Sequence, residues 1–498
     1  MRRYDAVIVG GGYAGSILAT ILASRGRVVL LADRQRHPRF AVGESSTPTA
    51  DACLASLAEH YGVAEWAPLA SYGGWRRAYP EVRRGLKRGF SYFCHEEGQP
   101  FADDAAGGAS LLVAASSSDE AADTQWMRSD VDSLLIRVAR AKAAAYVEGV
   151  EVQPLGRRGV RWNLRLSVGD QFEEVEADWI IDATGDGGFS RRYFAAGDDS
   201  GSLRCDASAL FGHFDGVAGV ASVIAPDAPW NFDPDAAAQH HVFADGWMWM
   251  LRFDCGLTSV GLVSVDRQTP LIQQWHDVMQ GHPTVGRMLK SASCVDSVFG
   301  NSAYPPAALR TTARLARMNR RAWGEGWVSL PAAFGFIDPL HSTGIAHSLI
   351  GLSDVAEALL GPVGEVSDRL DRYEDRTRRQ LRWIDQLVSL AYAGLPNPRL
   401  FALASKAYFA AVISQERSIA FERGDLATNF LSFEDTELRA AVADATRLFE
   451  SAEDEEKLRE SRSIAARFAE RLRKFDPVGL FDPANRNRID HVEPAGPS

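Results

Sequence analysis

Gly10, Gly12 and Gly15 form a GxGxxG between a short Val- and Ile-rich run and a helical pattern. Glycines at this spacing permit a tight turn, close approach of backbone to a pyrophosphate, and close packing of helix on strand. Tyr13 and Ala14 belong to the same turn, and the helix start offers N–H groups and a positive dipole end to phosphates. Asp33 follows about 20 residues later, where an acid is expected to bind a ribose hydroxyl. A turn used only for packing has no need of that acid. A second group lies in FGFIDPLHSTG, Phe334 to Gly344. A loop closing on a helix start presents a nest of backbone N–H groups, suited to an anion. An unperturbed imidazole titrates near neutrality, so His341 and His347 could relay a proton, or each is a hydrogen-bonded structural histidine. Their six-residue spacing is not that of two ligands on one helical face, so no metal site is expected. A third group, Arg76, Arg77, Arg83, Arg84, Lys87 and Arg88, concentrates positive charge in an otherwise acidic chain. It reads either as a solvated basic loop or as a wall facing an anion: a cofactor phosphate, a substrate carboxylate or an acidic carrier protein.

These groups need a scaffold. Ala6 to Val9 and Val28 to Ala32 read as buried strands flanking a helix over Ser16 to Ser24, a βαβ unit. Helical spacing recurs over Thr49 to His60 and over Trp126 to Ala145, where Leu134, Leu135 and Val138 share a face. Phe101 to Asp123 is rich in Ala, Gly, Ser and Asp and is predicted to be a mobile loop, an insertion or a lid. Strands over 147–152, 162–168 and 172–175 lead into Asp178 to Ile181 and DATG, Asp182 to Gly185. A buried strand ending in D-x-T-G is a recurrent second flavin contact in GxGxxG flavoproteins, because small residues let the backbone lie against the cofactor. Leu203 to Leu262 alternates in the strand manner, and from Leu352 to Phe475 the pattern is helical. The predicted fold class is α/β: a glutathione-reductase-like FAD-binding domain over 1–360, with an inserted antiparallel β-sheet substrate region at about 72–125 and 200–310. A helical C-terminal region over 361–490 and a disordered tail over 491–498 complete the expectation.

At 498 residues the chain can bury a sizeable core, and 46% hydrophobic with 24% charged residues is ordinary for a globular protein. A net charge of −11 argues against general binding to nucleic acid or anionic membrane. No apolar run approaches the ~20 residues that span a bilayer, and no signal-peptide pattern precedes the first strand. Cys53, Cys94, Cys205, Cys255 and Cys294 are scattered and odd in number, which suits free thiols and a cytoplasmic location.

Six motifs in order carry a resemblance. They are the glycines, PRFAVGES within His37 to Ala50, LKRGFSYF around Lys87, Arg128/Asp130/Asp132, GWMW at Gly246 to Trp249, and DPLHSTG. In this order the chain resembles the flavin-dependent halogenases of the tryptophan-halogenase superfamily, the phenol- and pyrrole-type branch more closely than the tryptophan type. Phe336, Pro339, Ser342 and Gly344 match the family's F-x-x-P-x-x-S-x-G. The resemblance implies FAD, used as FADH2, with O2 and chloride or bromide. It assigns cofactor contacts to Gly10, Gly12, Tyr13, Ala14, Gly15, Asp33, Arg39, Glu44, Ser45, Arg128, Asp182, Gly185, Asp338, Gly344 and Ile345. Ser342, Thr343 and Gly344 would hold halide; Phe90, Trp247 and Trp249 would wall the substrate. Lys87 would be the essential amine that holds hypohalous acid while an aromatic ring attacks, with His341 as a second catalytic candidate. The implied partners are a separate flavin reductase and a small aromatic, free or carrier-tethered. Two positions depart from the family: Leu251-Arg252 replaces Ile-Pro, and His341 replaces the glutamate of tryptophan halogenases, which makes tryptophan a poor substrate guess. The alternatives are a flavin monooxygenase or oxidase on the same scaffold, or a flavin reductase or binding protein without oxygen chemistry.

Overall fold

The computed structural model describes residues 1–490 apart from 104–107, 186–187, 225–229, 299–303, 396, 423–428, 452–453 and 477. The tail 491–498, expected to be disordered, lies outside the described residues.

β1 (Arg2–Val9) turns apolar at Ala6 and is buried almost throughout from there to Val9. The helix α1 (Tyr13–Ser24) then returns the chain to β2 (Val29–Asp33), whose five residues are all buried. Further along come α2 (Pro48–Tyr61), β3 (Arg84–Lys87), β4 (Gly89–Cys94), β5 (Ser110–Ala114), β6 (Asp123–Trp126) and α3 (Arg128–Ala141). Then follow β7 (Ala145–Glu148), β8 (Glu151–Arg158), β9 (Arg161–Val168) and β10 (Gln171–Asp182). Trp327–Ser329, β10, β1, β2 and β7 run parallel in that order. A βαβ crossover puts helices on the sheet face, so parallel strands read as continuous apolar runs. Ile17, Leu18, Leu134 and Leu135 from α1 and α3 fill that face. The β8–β9 hairpin joins β10 antiparallel at the far end.

A second sheet contains β11 (Ser208–Asp215), β12 (Ala238–Phe243), β13 (Gly246–Arg252) and β14 (Thr258–Ser264). Its order is β11-β14-β13-β12-β4-β5, so two segments far apart in the chain share one sheet. It is not wholly antiparallel as expected: β4 and β12 pair in parallel, Tyr92 opposite His240. Two separate insertions that meet edge to edge need not keep the alternation that hairpins impose.

The predicted lid is also corrected. Within Phe101 to Asp123, Ser110 to Val113 are buried and β5 pairs antiparallel with β4, Phe90 opposite Val113. The small residues around SLLVA mask a run long enough for a strand; residues 104–107 of that stretch lie outside the described residues.

The later helices are α4 (Gly344–Leu360), α5 (Val366–Ala393) and α6 (Pro398–Glu422), followed by Thr436–Ser451 and Asp454–Leu472. From α6, Phe401, Tyr408 and Phe409 pack in the same core as Phe90 and Tyr92 of β4. The C-terminal helices therefore roof the second sheet. No helix among the described residues is long and apolar enough to cross a membrane.

Candidate active site

The three glycines have different tasks. A Cβ on Gly10 (φ +117) would lie 2.4 Å from the Ala183 carbonyl oxygen, and one on Gly15 would lie 2.1 Å from that of Gly10. Those two serve the close approach of the turn, the DATG segment and α1. A Cβ on Gly12 would make only ordinary side-chain contacts, with the Arg39 and Arg128 guanidiniums at 3.4 and 3.5 Å and the Asp132 carboxylate at 3.8 Å. Packing within the chain therefore does not require glycine there. The space above Gly12, faced by two cations at the N-terminus of α1, suits a pyrophosphate. Arg39 Nε is buried and makes no hydrogen bond within the chain, standing 3.5 Å from Asp33 Oδ2, so the guanidinium keeps donor capacity for a phosphate. FAD fits these residues.

Around the cradle, Asp132 accepts from the Tyr13 N–H at 3.1 Å and clamps Arg128 through two contacts of 3.0 Å. Arg128 also donates to the Val42 and Gly43 carbonyls, and its guanidinium lies 4.7 Å from the Tyr13 ring centroid. Ala14 is half-buried and Ile345 buried. Asp33 sits at the end of β2 and accepts from the Gly11 N–H at 2.7 Å, beside Arg39 at 3.5 Å.

Other candidate cofactor residues point their side chains elsewhere. Glu44 accepts from His213 of β11 at 2.6 Å, which ties the GES segment to the second sheet. Asp182 accepts from Thr184 and Ser190 and so shapes the DATG loop, while Gly185 (φ +77) supplies its turn and a carbonyl for Arg317. Asp338 accepts from Tyr392 at 2.5 Å and from the Leu340 N–H at 2.9 Å; burial pushes its carboxyl up to about 7.

The loop expected to hold halide closes on α4. Thr343 is the N-cap residue, Gly344 opens the helix, and Ser342 is held at φ +54. Ser342 Oγ donates to Ser45 Oγ at 3.0 Å, which ties this loop to the GES segment. The first N–H groups of a helix lack intrahelical acceptors, so an anion can bind at this start.

Lys87 separates from its basic run. Arg76 and Arg77 meet Glu120, Arg83 is gripped by Asp130 at 2.6 and 2.8 Å, Arg84 faces Asp254, and Arg88 meets Asp119. Each arginine of the run thus meets a carboxylate, Arg76 and Arg77 sharing Glu120 at the surface, so the anion wall does not describe them. Lys87 is 0% exposed. Its ammonium donates to the Ser46 carbonyl and lies 4.2 Å from the centroid of Phe90, a cation–π contact. Asp123 is 4.0 Å away. Burial lowers Lys87 to about 8, against the pull of Asp123, Asp51 and Glu416.

Phe90 opens an aromatic box. Phe409 meets it edge-on at 5.3 Å, Tyr92 stacks on His240 at 4.5 Å, and His241 belongs to the opposite face of the sheet. His341 stacks on Tyr408 at 4.2 Å and shares a hydrogen bond of 3.2 Å with Tyr92 through Nδ1. Burial pushes His341 well below its usual range and favours the neutral ring, which is held between two tyrosines. His347 is likewise held neutral, down to about 4, and packs toward Phe430. Trp247 donates to Tyr392 at 3.2 Å, and Trp249 lies across Gly261 and donates to Ser259. Arg252, at the departure from the family pattern, bonds Asp235 at 2.7 Å and the carbonyls of Val217 and Ala218. It anchors the end of β13.

Asp132, Tyr92, Tyr408, Phe409 and Asp123 were not among the predicted site residues. Asp132 had a signal, the i, i+4 spacing from Arg128; the others meet only through tertiary pairing. Among the described residues no group of three or more His, Cys, Asp or Glu could hold a metal.

The tryptophan halogenase family model matches residues 125–397, more than half of the chain. Tetracycline 7-halogenase of Kitasatospora aureofaciens is 28% identical over 419 residues, covering 78% of this chain and 70% of that protein. Monodechloroaminopyrrolnitrin halogenase PrnC of Pseudomonas fluorescens is 23% identical over 415 residues, covering 80% and 70%. The crystal structure of halogenase PltM superposes with a TM-score of 0.84 at 21% identity over 97% of this chain and 99% of that one, a likeness of fold. The chain belongs to the tryptophan halogenase family, FADH2-dependent oxidoreductases that use O2 and halide.

Proposed function

We propose that this enzyme installs chloride or bromide on an electron-rich, phenol- or pyrrole-like aromatic, with Lys87 as its catalytic amine. The observation that carries this reading is a fully buried ammonium set against Phe90 in a box of aromatic side chains. An amine placed there for solubility would be exposed, because burial of an unused ammonium costs several kcal/mol.

FAD, held when bound by the Gly12 space, Arg39, Arg128 and Asp33, supplies in reduced form the oxygen activation that oxidises halide. The chain does the rest. The α4 start with Ser342 and Thr343 binds the halide anion, and Ser45 holds Ser342 in place. Lys87, protonated at neutral pH, donates hydrogen bonds to the oxidised halogen and polarises it toward the ring. Phe90, Trp247 and Trp249 wall an electron-rich aromatic and exclude water, while His341 and Tyr392 orient neighbouring rings. The Trp247–Tyr392–Asp338 chain links the wall to the halide loop. A separate reductase delivers the reduced flavin. The substrate is a small aromatic, free or on a carrier protein; a carrier is not read by the arginine run, whose members are paired internally.

The test is a product screen with photoreduced FAD, phenol and pyrrole probes, and chloride, bromide or no halide. Halogenated product that requires halide is expected. NADPH without a reductase should leave the flavin oxidised; rapid anaerobic bleaching by NADPH, with hydroxylated product and no halide dependence, would mean a monooxygenase instead.

A further inference from the structure

β3 and β6 form a two-stranded ribbon in which Lys87 and Asp123 are directly opposed. Opposed residues of an antiparallel pair project from the same face, and both side chains point inward here, 0% and 3% exposed. Nζ stands 4.0 Å from Asp123 Oδ2, a buried oxygen that accepts no hydrogen bond within the chain. A buried carboxylate oxygen without a donor is costly unless a cation faces it, and Lys87 is that cation.

We propose that Asp123 is the positioning residue of Lys87: it holds the side chain over Phe90 and keeps the nitrogen protonated as an ammonium. This rests on the role proposed above for Lys87 in halogen transfer. Burial by itself drives a lysine toward the neutral amine, which is a poorer hydrogen-bond donor to an oxidised halogen. An anion opposite the nitrogen opposes that drive. The other groups facing Lys87 are Asp51 from α2, Glu416 from α6 and His240 from β12. Asp51 acts through Ser46, whose hydroxyl donates to it at 2.6 Å and whose carbonyl takes the ammonium. Glu416 accepts from Thr49 at 3.4 Å. Asp123 is raised to about 7 and Glu416 to about 8, so Asp123 ionises first of these two. His240 is held neutral, down to about 3, chiefly by its burial and in part by the ammonium, so it adds no competing charge near pH 7. As pH rises through about 7, Asp123 becomes the carboxylate that pairs with the Lys87 ammonium.

The test uses FAD-loaded enzyme labelled with 13C at lysine Cε. The chain has six lysines, and Lys87→Arg assigns the signal of Lys87. Asp123→Asn keeps the shape of the side chain and removes its charge. It should weaken the proton affinity of Lys87 at least about tenfold and move the alkaline limb of the halogenation profile acid-ward by the same factor. The rate lost at neutral pH should return at lower pH. Asp123→Glu should restore the wild-type titration, and flavin content should match wild type in every variant. An Asp123→Asn enzyme whose Lys87 titration or halogenation profile overlays wild type overturns the proposal. Lys87→Ala enzyme that halogenates at the wild-type rate would instead remove the lysine role proposed above, and the titration of Lys87 would still report on the pair.

Discussion

The glycine cradle and the Lys87 box are built on opposite plans. The cradle uses backbone: a turn, a helix start and two arginines round a space that the chain leaves open above Gly12. The box uses side chains from β3, β4, β6, α2 and α6, packed until its ammonium is wholly enclosed. A cofactor common to many enzymes can be bound through atoms that every residue carries. A transfer step on one class of ring needs particular side chains in a dry setting. If this contrast is right, substitutions in the two regions should separate binding from chemistry.

The largest effect belongs to Lys87→Ala. Product formation should fall by about 10²–10⁴-fold, the range a positioned acid–base group contributes, while flavin binding and oxygen consumption by reduced flavin persist. Arg76→Ala is the matched control, since Arg76 is 60% exposed and paired only with Glu120 at the surface. Arg83→Ala is not, because Arg83 bonds Asp130, Ser129 and the Ser297 carbonyl. Equal halogenation by the lysine variant and this control would dissolve the contrast from the side of the box.

Next comes Gly12→Val. It should lose FAD affinity by about 100-fold or more, equivalent to roughly 2.7 kcal/mol, yet remain folded, as read by circular dichroism and flavin titration. Gly15→Ala should instead lower the melting temperature, because its Cβ meets the Gly10 carbonyl. A folded Gly12→Val protein that keeps its flavin would break the cradle reading.

A smaller effect is expected of Gly261→Ala, whose Cβ would fall 2.1 Å from the Trp249 ring. Overpacking of this kind costs about 1–3 kcal/mol; chemical denaturation should show it, with flavin affinity unchanged. An affinity change as large as that of Gly12→Val would mean that wall and cradle are not separate.

The smallest is a matter of pH. Asp338 is raised to about 7 in the fold from an ordinary value near 3.8, so the fold binds its proton more tightly than the unfolded chain does. Its stabilising contribution is full below the ordinary value and is lost as pH rises through about 7. Asp338→Asn, which still accepts from Tyr392, should therefore melt higher than wild type at pH 8 and differ less at pH 5. A difference that does not vary with pH would refute this.

How much of this was legible beforehand follows the same division. GxGxxG, Asp33 and the predicted βαβ strands are local features, and sequence periodicity and turn chemistry found them within a few residues. LKRGFSYF placed Lys87 among aromatics, yet composition alone grouped it with five arginines from which burial separates it. The SLLVA strand was hidden by its small neighbours, and the parallel edge between β4 and β12 by the distance between its two segments.

The sequence by itself determined the turn and helix start of the cradle, because these are specified by residues next to one another; Arg128, Asp132 and Ala183 reach it only through the fold. It also determined the family, through motifs kept in order along the chain. Only the tertiary structure decided that Asp123 faces Lys87, that Tyr408 stacks on His341, and that Glu44 turns to His213. The physical reason is that charge state, burial and ring contact are properties of neighbours in space. Strand pairing and helix packing bring those neighbours together across hundreds of residues, at separations for which local pattern carries no signal.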